Sequence, residues 1–207
     1  VDRRQRQMCI RYRMGVPAPR AIHAKLYING NYNGLFSLVE QIDEQFADYH
    51  FSDGTGNIYK EVWPLKSNGE VQSDKNFYKN LVTNKTQGVN NNIIKSFAEN
   101  MFNANDSEIQ TIIENHMLLN QMLSYAVVDR AIRHDDGPFH WYCDWSKCEP
   151  HNFFWYENPS TRKIHLIPWD LDNSFENIIE NTNPVTPIAD DWGCLLYTSD
   201  AADDLLC

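Results

Sequence analysis

The feature that most constrains the fold of this chain is a pair of strand-like segments between His151 and Phe175, HNFFWYENPSTRKIHLIPWDLDNSF. The aromatic run at residues 153–156 favours a strand. Asn158-Pro159-Ser160 is typical of a turn. Residues 163–168 then return with the alternation of a second strand. The segment therefore predicts a β-hairpin.

One mouth of this predicted hairpin collects polar side chains from both strands. His151 and Asn152 precede the first strand, and Asp170 and Asp172 follow the second. Amide and carboxylate oxygens suit a hard cation such as Mg²⁺, which proteins bind together with phosphate groups. We therefore predict a metal or phosphate site at this mouth. The simpler alternative is that these side chains only cap turns.

Length and charge limit the function classes. A chain of 207 residues fits one domain with a sizeable core. The net charge of −10, with no basic stripe to offset it, argues against nucleic acid as a partner. No run of about 18 apolar residues is present, so we predict no membrane span.

The two ends of the sequence suggest a fragment. The chain starts at Val1 without Met or a signal peptide. Residues 194–204, CLLYTSDAADD, resemble a translated adapter sequence from DNA library preparation. We expect residues 1–193 to be a domain fragment that lacks its first strands, and residues 194–207 to be a non-native tail. An ordinary acidic tail is the alternative.

The cysteines bear on the cellular compartment. Cys143 and Cys148 lie in a short polar loop, where a local disulfide would indicate an oxidising compartment. Zinc fits less well, because a second ligand pair is not evident. The glycosylation-type triplets at Asn84 and Asn105 are compatible with secretion. We therefore expect a secreted protein, or one on the cell or spore surface.

The order of predicted elements favours an α+β fold. A first hairpin over residues 21–39 is followed by helices and then by the second hairpin, which is not the alternation of a parallel α/β protein. The helix predicted over residues 118–132 is the most apolar one. It leads to His134-Asp135-Asp136-Gly137, a polar turn.

This order of polar residues is that of a phosphoryl-transfer site. Protein kinases use a catalytic-loop Asp near the acceptor hydroxyl, a following Asn on metal, a short hairpin, and a metal-binding Asp. Here Asp136, Asn152 and one of Asp170 or Asp172 stand in that order, with a hairpin between the last two. The loop between Asp136 and Asn152 is longer than in the kinase pattern.

Six motifs occur together in this sequence: LYINGNYNGLF at residues 26–36, VEQID at 39–43, IYK at 58–60, DDG at 135–137, HN at 151–152 and IPWDLD at 167–172. Together they resemble the CotH family of spore-coat-protein-like atypical protein kinases, from about Gly15 to Phe175. The resemblance implies a divergent protein-kinase-like fold, here with a partial small lobe and most of the larger helical lobe. It also implies ATP and Mg²⁺ as cofactors, and Ser/Thr of coat or extracellular proteins as the substrate.

The resemblance also implies residue roles. Asp136 would be the catalytic Asp, while Asn152, Asp170 and Asp172 would hold the metal. Glu40, at the end of the first hairpin, would lie near the nucleotide base. Lys60 would reach a phosphate, although a solvated strand lysine is the commoner case.

Two other functions remain open at this stage. A glycoside hydrolase would pair Asp136 with Asp172 in an aromatic cleft. A secreted surface or adhesion module would keep the fold and bind only a cation. Nucleotide binding separates the kinase from both. The tryptophans available for sugar stacking are Trp141, Trp145, Trp155 and Trp169.

Overall fold

A computed structural model describes residues 14–86, 90–132, 134, 137–139, 142–144, 147–171 and 174. Within these ranges the chain forms small antiparallel sheets and helices, the α+β class that the sequence predicts. The strands are β1 Ala21–Ile28, β2 Asn31–Val39, β3 Ile58–Lys60, β4 Tyr142–Asp144, β5 Lys147–Glu149, β6 Phe153–Asn158 and β7 Lys163–Pro168. The helices are α1 Glu44–His50, α2 Asp74–Lys79, α3 Asn92–Asn103, α4 Ile109–His116 and α5 Leu119–Ala131.

The central sheet has the order β3-β6-β7 and contains the hairpin predicted from the aromatic run. Every residue of β6 is buried, because both faces of the strand are covered. Trp155 points into one apolar cluster and Phe154 into the other, as the alternation of a strand requires. The central sheet therefore divides the core into two parts.

The register of this hairpin fixes the position of its mouth. Phe153 pairs with Pro168, so the first residue of β6 faces the last residue of β7. The Trp169 N–H donates a hydrogen bond of 3.1 Å to the Asn152 carbonyl and extends the pairing by one step. The segments before β6 and after β7 therefore leave the sheet side by side.

The first hairpin is closed by two residues only. Asn29 and Gly30 have φ values of +51° and +83°, the left-handed conformation that two-residue hairpin turns require. The hairpin predicted over residues 21–39 is confirmed, and β2 begins directly after this turn, at Asn31. The register of the pairing shifts between Leu26, which faces Gly34, and Tyr27, which faces Tyr32.

Helix α5 is less buried than its apolar sequence suggests. Only Tyr125 and Asp129 of this helix are fully buried, so a polar residue is part of its inward face. None of the helices in the described part of the chain has the length and apolar character needed to cross a membrane.

Candidate active site

The mouth of the β6–β7 hairpin brings Asn152 and Asp170 together. Asn152 is 9% exposed and has φ +56°. Asp170 is exposed, has φ +48° and follows Trp169, whose N–H binds the Asn152 carbonyl. Asn and Asp tolerate the left-handed region better than most residues. The two predicted metal ligands on described residues thus sit on adjoining backbone segments.

Glu61 is a third member of this group that the sequence analysis missed. Its Oε1 accepts a hydrogen bond of 3.2 Å from the Asn152 N–H, and its own N–H donates to the Phe153 carbonyl at 3.1 Å. Its φ is +50°, so Glu61 has the same left-handed backbone conformation as Asn152 and Asp170. Each such residue costs on the order of 1 kcal/mol, and such residues concentrate at functional sites.

A buried Asp–His pair contacts the backbone of Asp170. Asp129, near the end of α5, and His134 are both 0% exposed. The His134 Nδ1 lies 2.9 Å from the Asp129 Oδ1, and the Nε2 lies 3.1 Å from the Asp170 carbonyl oxygen. The ring therefore connects the end of α5 to the segment that carries Asp170.

Gly137 packs directly against this pair. A Cβ at Gly137 would lie 2.5 Å from the His134 Nδ1 and 2.8 Å from the Asp129 Oδ1, closer than real side chains allow. The Gly137 N–H donates to the His134 carbonyl at 3.2 Å. The glycine of the His-Asp-Asp-Gly turn is thus required by close approach.

An apolar cleft opens beside these polar groups. Its volume is about 620 Å³, and it lies between the first hairpin, α5 and the residues after β7. Val39, Val128 and Leu171 are among the residues that make most of its lining apolar, while Asp129 and Asp170 lie at its polar side. Ligand sites in proteins combine an apolar lining with a few polar groups in this way.

Lys60, the last residue of β3, pairs with Phe154 and so lies at the same end of the central sheet as the hairpin mouth. It is 47% exposed, and its Nζ lies 3.9 Å from the Oε1 of Glu61, the carboxylate that binds Asn152. Its Nζ also lies 6.0 Å from the centre of the Phe154 ring. The ammonium group is therefore near the mouth, in a position accessible to solvent.

Glu40 lies beside the cleft but its carboxylate is bound within the protein. Its oxygens accept hydrogen bonds from the Arg20 N–H and Nε–H, both 3.0 Å, and from the Arg20 Nη2. The His50 Nε2 lies 3.2 Å away. Burial raises the pKa of Glu40, but the bonds from Arg20 and His50 outweigh it and hold the pKa below its usual value. The neighbouring Val39 lines the cleft.

Two predicted site residues, Asp136 and Asp172, lie outside the described residues. Within the described part of the chain, no group of three or more His, Cys, Asp or Glu side chains forms a metal site. Asn152 and Asp170 still supply an amide and a carboxylate, the hard oxygen donors that suit Mg²⁺.

The structure also bears on the remaining sequence predictions. Cys143 and Cys148 are directly opposite in the β4–β5 pairing, so their backbones are close enough for the predicted disulfide, which stays a prediction. Trp155 is 2% exposed within the core, which removes it from the tryptophans available for sugar stacking. Trp141 and Trp145 lie outside the described residues.

Comparison with known families supports the kinase resemblance. The sequence profile of CotH, described as CotH kinase protein, matches residues 8–199, which is most of the chain. The search of curated proteins finds no match. Since the profile match spans both hairpins and the residues that carry the candidate site, the chain belongs to the CotH kinase protein family.

Proposed function

We propose that this protein transfers the γ-phosphoryl group of ATP to Ser or Thr hydroxyls of coat or extracellular proteins, with Mg²⁺ as the metal. Membership of the CotH kinase protein family supports kinase chemistry in general. The observation that carries the proposal is the position of Asp170, which lies at the side of an apolar cleft and next to the segment of Asn152.

The cleft suits the nucleotide in size and polarity. Its volume of about 620 Å³ is within the usual range for small-molecule sites. The adenine ring would lie between the apolar residues of the first hairpin and α5, with Glu40 next to that wall. The phosphates would extend toward Asp170, within reach of Lys60.

The polar residues divide into binding and orienting roles. Asn152 and Asp170, with Asp172, would hold Mg²⁺, which when bound neutralises charge on the phosphate oxygens. Asp136 would accept the proton of the acceptor hydroxyl and orient it, as the catalytic-loop Asp does in protein kinases. The buried Asn152 and its bonds to Glu61 and Trp169 would keep the metal-binding segments in place before the nucleotide arrives.

Binding of Mg²⁺-ATP tests this proposal. We expect ATP to raise the melting temperature of the full chain only when Mg²⁺ is present. Asp170→Ala should abolish this shift, because a metal-binding carboxylate is lost. Asp136→Ala should keep the shift and lose phosphoryl transfer. Asp106→Ala, at an exposed turn residue remote in sequence from the site, is the matched control.

The opposite result would favour a different function. If the full chain shows no Mg²⁺-dependent ATP binding with these residues intact, the kinase proposal is wrong. Calcium or magnesium binding without nucleotide would then indicate the secreted cation-binding module.

A further inference from the structure

We propose that Glu61 is a positioning residue whose carboxylate fixes the backbone of Asn152 and thereby the direction of the Asn152 amide. Glu61 itself is not expected to touch the metal or the phosphates. The inference rests on the proposed function, because the direction of Asn152 matters to the reaction only if Asn152 binds Mg²⁺. It assigns a task to a residue outside the sequence motifs, one position after the motif IYK.

The first support is the way in which Glu61 joins β3 to the start of β6. The pairing of these two strands ends with Lys60 opposite Phe154. Beyond that pair, the Glu61 N–H donates to the Phe153 carbonyl at 3.1 Å, and the Glu61 Oε1 accepts from the Asn152 N–H at 3.2 Å. Both distances are within the range of hydrogen bonds. The main chain and the side chain of one residue thus bind two successive residues.

The second support is that Asn152 is held at both of its peptide groups. Its N–H donates to Glu61, and its carbonyl accepts from the Trp169 N–H at 3.1 Å. These two bonds fix a left-handed backbone with φ +56°, and with it the direction of the Cα–Cβ bond. The bond from Trp169 joins main-chain atoms only. Of the two bonds, the one to Glu61 is therefore the one that depends on the identity of a side chain.

The third support is the backbone conformation of Glu61 itself. Its φ of +50° is unfavourable for a residue with a Cβ, whereas glycine adopts such a value without that penalty. Glutamate, unlike Asn or Asp, is not enriched in this region. The position thus carries a long side chain where glycine would suit the backbone better. Because strained residues of this kind concentrate at functional sites, we infer that the carboxylate has a task.

The hydrogen bond, rather than the charge, is the part of Glu61 that this role requires. A backbone N–H needs only an acceptor oxygen, which the amide of glutamine also provides. The charge of Glu61 is already moderated, since the Lys60 Nζ lies 3.9 Å from the same Oε1 and the Glu61 side chain is 30% exposed. Glu61→Gln should therefore keep Asn152 in place and bind Mg²⁺-ATP with nearly the affinity of the wild type.

Removal of the acceptor should weaken nucleotide binding independently of stability. Glu61→Gly and Glu61→Ala both lose the bond to Asn152. Glycine relieves the left-handed backbone and alanine does not, so Glu61→Gly should be the more stable of the two. We expect both variants to bind Mg²⁺-ATP more weakly by similar factors of about 10 to 100, the range found when a group that orients a metal ligand is lost.

The experiment combines calorimetric titration of the full chain with Mg²⁺-ATP and urea unfolding of the same variants. Asn152→Ala is the reference for loss of the ligand itself. A positioning role predicts that Glu61→Gly and Glu61→Ala differ in stability but lose affinity alike, and that Glu61→Gln restores the affinity. A merely structural role predicts that affinity follows stability, with Glu61→Gly close to the wild type.

The possible failures are distinguishable. Wild-type affinity in Glu61→Gly, alongside weak binding in Asn152→Ala, overturns the inference and leaves the proposed function standing. A loss in Glu61→Gln as large as that in Glu61→Gly also overturns it, because the charge would then matter rather than the hydrogen bond. If Asn152→Ala binds normally, the proposed metal-binding role of Asn152 is wrong, and the inference fails with it. Should Glu61→Ala not fold, the glycine and glutamine variants decide the question.

Exchange of the Asn152 amide proton, followed by NMR without nucleotide, gives a readout that does not depend on activity. Hydrogen-bonded amides exchange more slowly than free ones. We expect slow exchange at Asn152 in the wild type and in Glu61→Gln, and faster exchange in Glu61→Gly. Equal rates in the wild type and in Glu61→Gly would overturn the inference, because the carboxylate would then not hold this peptide group.

Discussion

His165, on β7, is a buried ionisable residue in the described part of the core. It is 5% exposed, and its Nδ1 lies 2.8 Å from the Gln121 Oε1. Its ring packs against Phe51 at a centroid distance of 4.8 Å. Burial and, to a smaller extent, the charge of Lys163 lower the pKa of His165 to about 4. The folded protein therefore keeps this ring neutral.

The lowered pKa predicts acid destabilisation. The unfolded chain binds a proton near pH 6.5 and the folded chain only near pH 4, so stability is complete above pH 6.5 and falls as the pH drops toward 4. At pH 5 the loss should be about 2 kcal/mol. Urea unfolding at pH 7 and pH 5 measures it. His165→Asn keeps a donor for Gln121 but has no ring that takes up a proton, so its loss of stability between pH 7 and pH 5 should be smaller by about 2 kcal/mol. Equal losses in the two proteins would contradict the assignment to His165.

Residues differ in how far their conformation can be predicted from sequence. The turn at Asn29-Gly30 was predictable, because that dipeptide adopts the left-handed region locally. The left-handed Glu61 was not, because Glu has no local preference for it and only its bonds to Asn152 and Phe153 hold it there. Asp129 was missed for the same reason: its partnership with His134 depends on how the chain turns after α5.

At the scale of elements, helix α3 is attached to the central sheet by one carboxylate. The residue before this helix, Asn91, makes no side-chain capping bond. Instead Glu157, from β6, accepts a hydrogen bond of 2.7 Å from the Ile94 N–H at the helix start. Its other oxygen accepts from the Asn57 amide and the Tyr59 hydroxyl, both at 2.9 Å. Burial raises the pKa of Glu157 despite these bonds.

Loss of this carboxylate should destabilise the protein strongly. Glu157→Leu leaves the Ile94 N–H and the Tyr59 hydroxyl without their acceptor, whereas the Asn57 amide still donates to the Asn90 carbonyl. One unsatisfied buried group costs about 1–3 kcal/mol, so we expect a decrease of at least about 2 kcal/mol in the free energy of unfolding. Urea denaturation measures it, with the exposed Glu99→Leu on α3 as the control. Equal stability of the two variants would show that the network contributes little.

The start of helix α4 shows why element boundaries were harder to predict than elements. The pattern Ser107 to Gln110 predicts a capping box, but the helix begins at Ile109. Asn105 competes with the same spacing: its Oδ1 accepts from the Ser107 N–H at 3.1 Å, and Glu108 Oε2 accepts from the Asn105 N–H at 3.0 Å. Two overlapping patterns fit the sequence, and the reciprocal pair Asn105–Glu108 is the one that forms.

At the scale of the whole molecule, the sequence predicts the two hairpins and the helices between them, but not how they associate. The pairing of β3 with β6 joins residues about a hundred positions apart, and neither strand carries a signal for its partner. The convergence of Asn152 and Asp170 was predictable because one hairpin contains both. The contribution of α5 to the same site was not, because it depends on packing between distant segments.

The two hairpins differ strongly in burial. In β6 and β7 nearly every residue is buried, whereas large apolar side chains of the first hairpin are exposed, among them Ile22, Phe36 and Leu38. A two-stranded hairpin with little packing is only marginally stable by itself. Residues Ala21 and Val39 of this hairpin also line the cleft. A ligand in the cleft would therefore contact the less packed of these two hairpins.

Hydrogen exchange tests this difference. Amides of β1 and β2 should exchange much faster than those of β6 and β7, because opening the hairpin exposes little buried surface. Mg²⁺-ATP should slow exchange in β1 and β2, which would gain contacts with the nucleotide, and change little in β6 and β7, whose amides are already protected by burial. Equally slow exchange of both hairpins without ligand would contradict this difference in packing. If the ligand binds and β1 and β2 keep their fast exchange, the cleft beside Ala21 and Val39 does not hold the nucleotide.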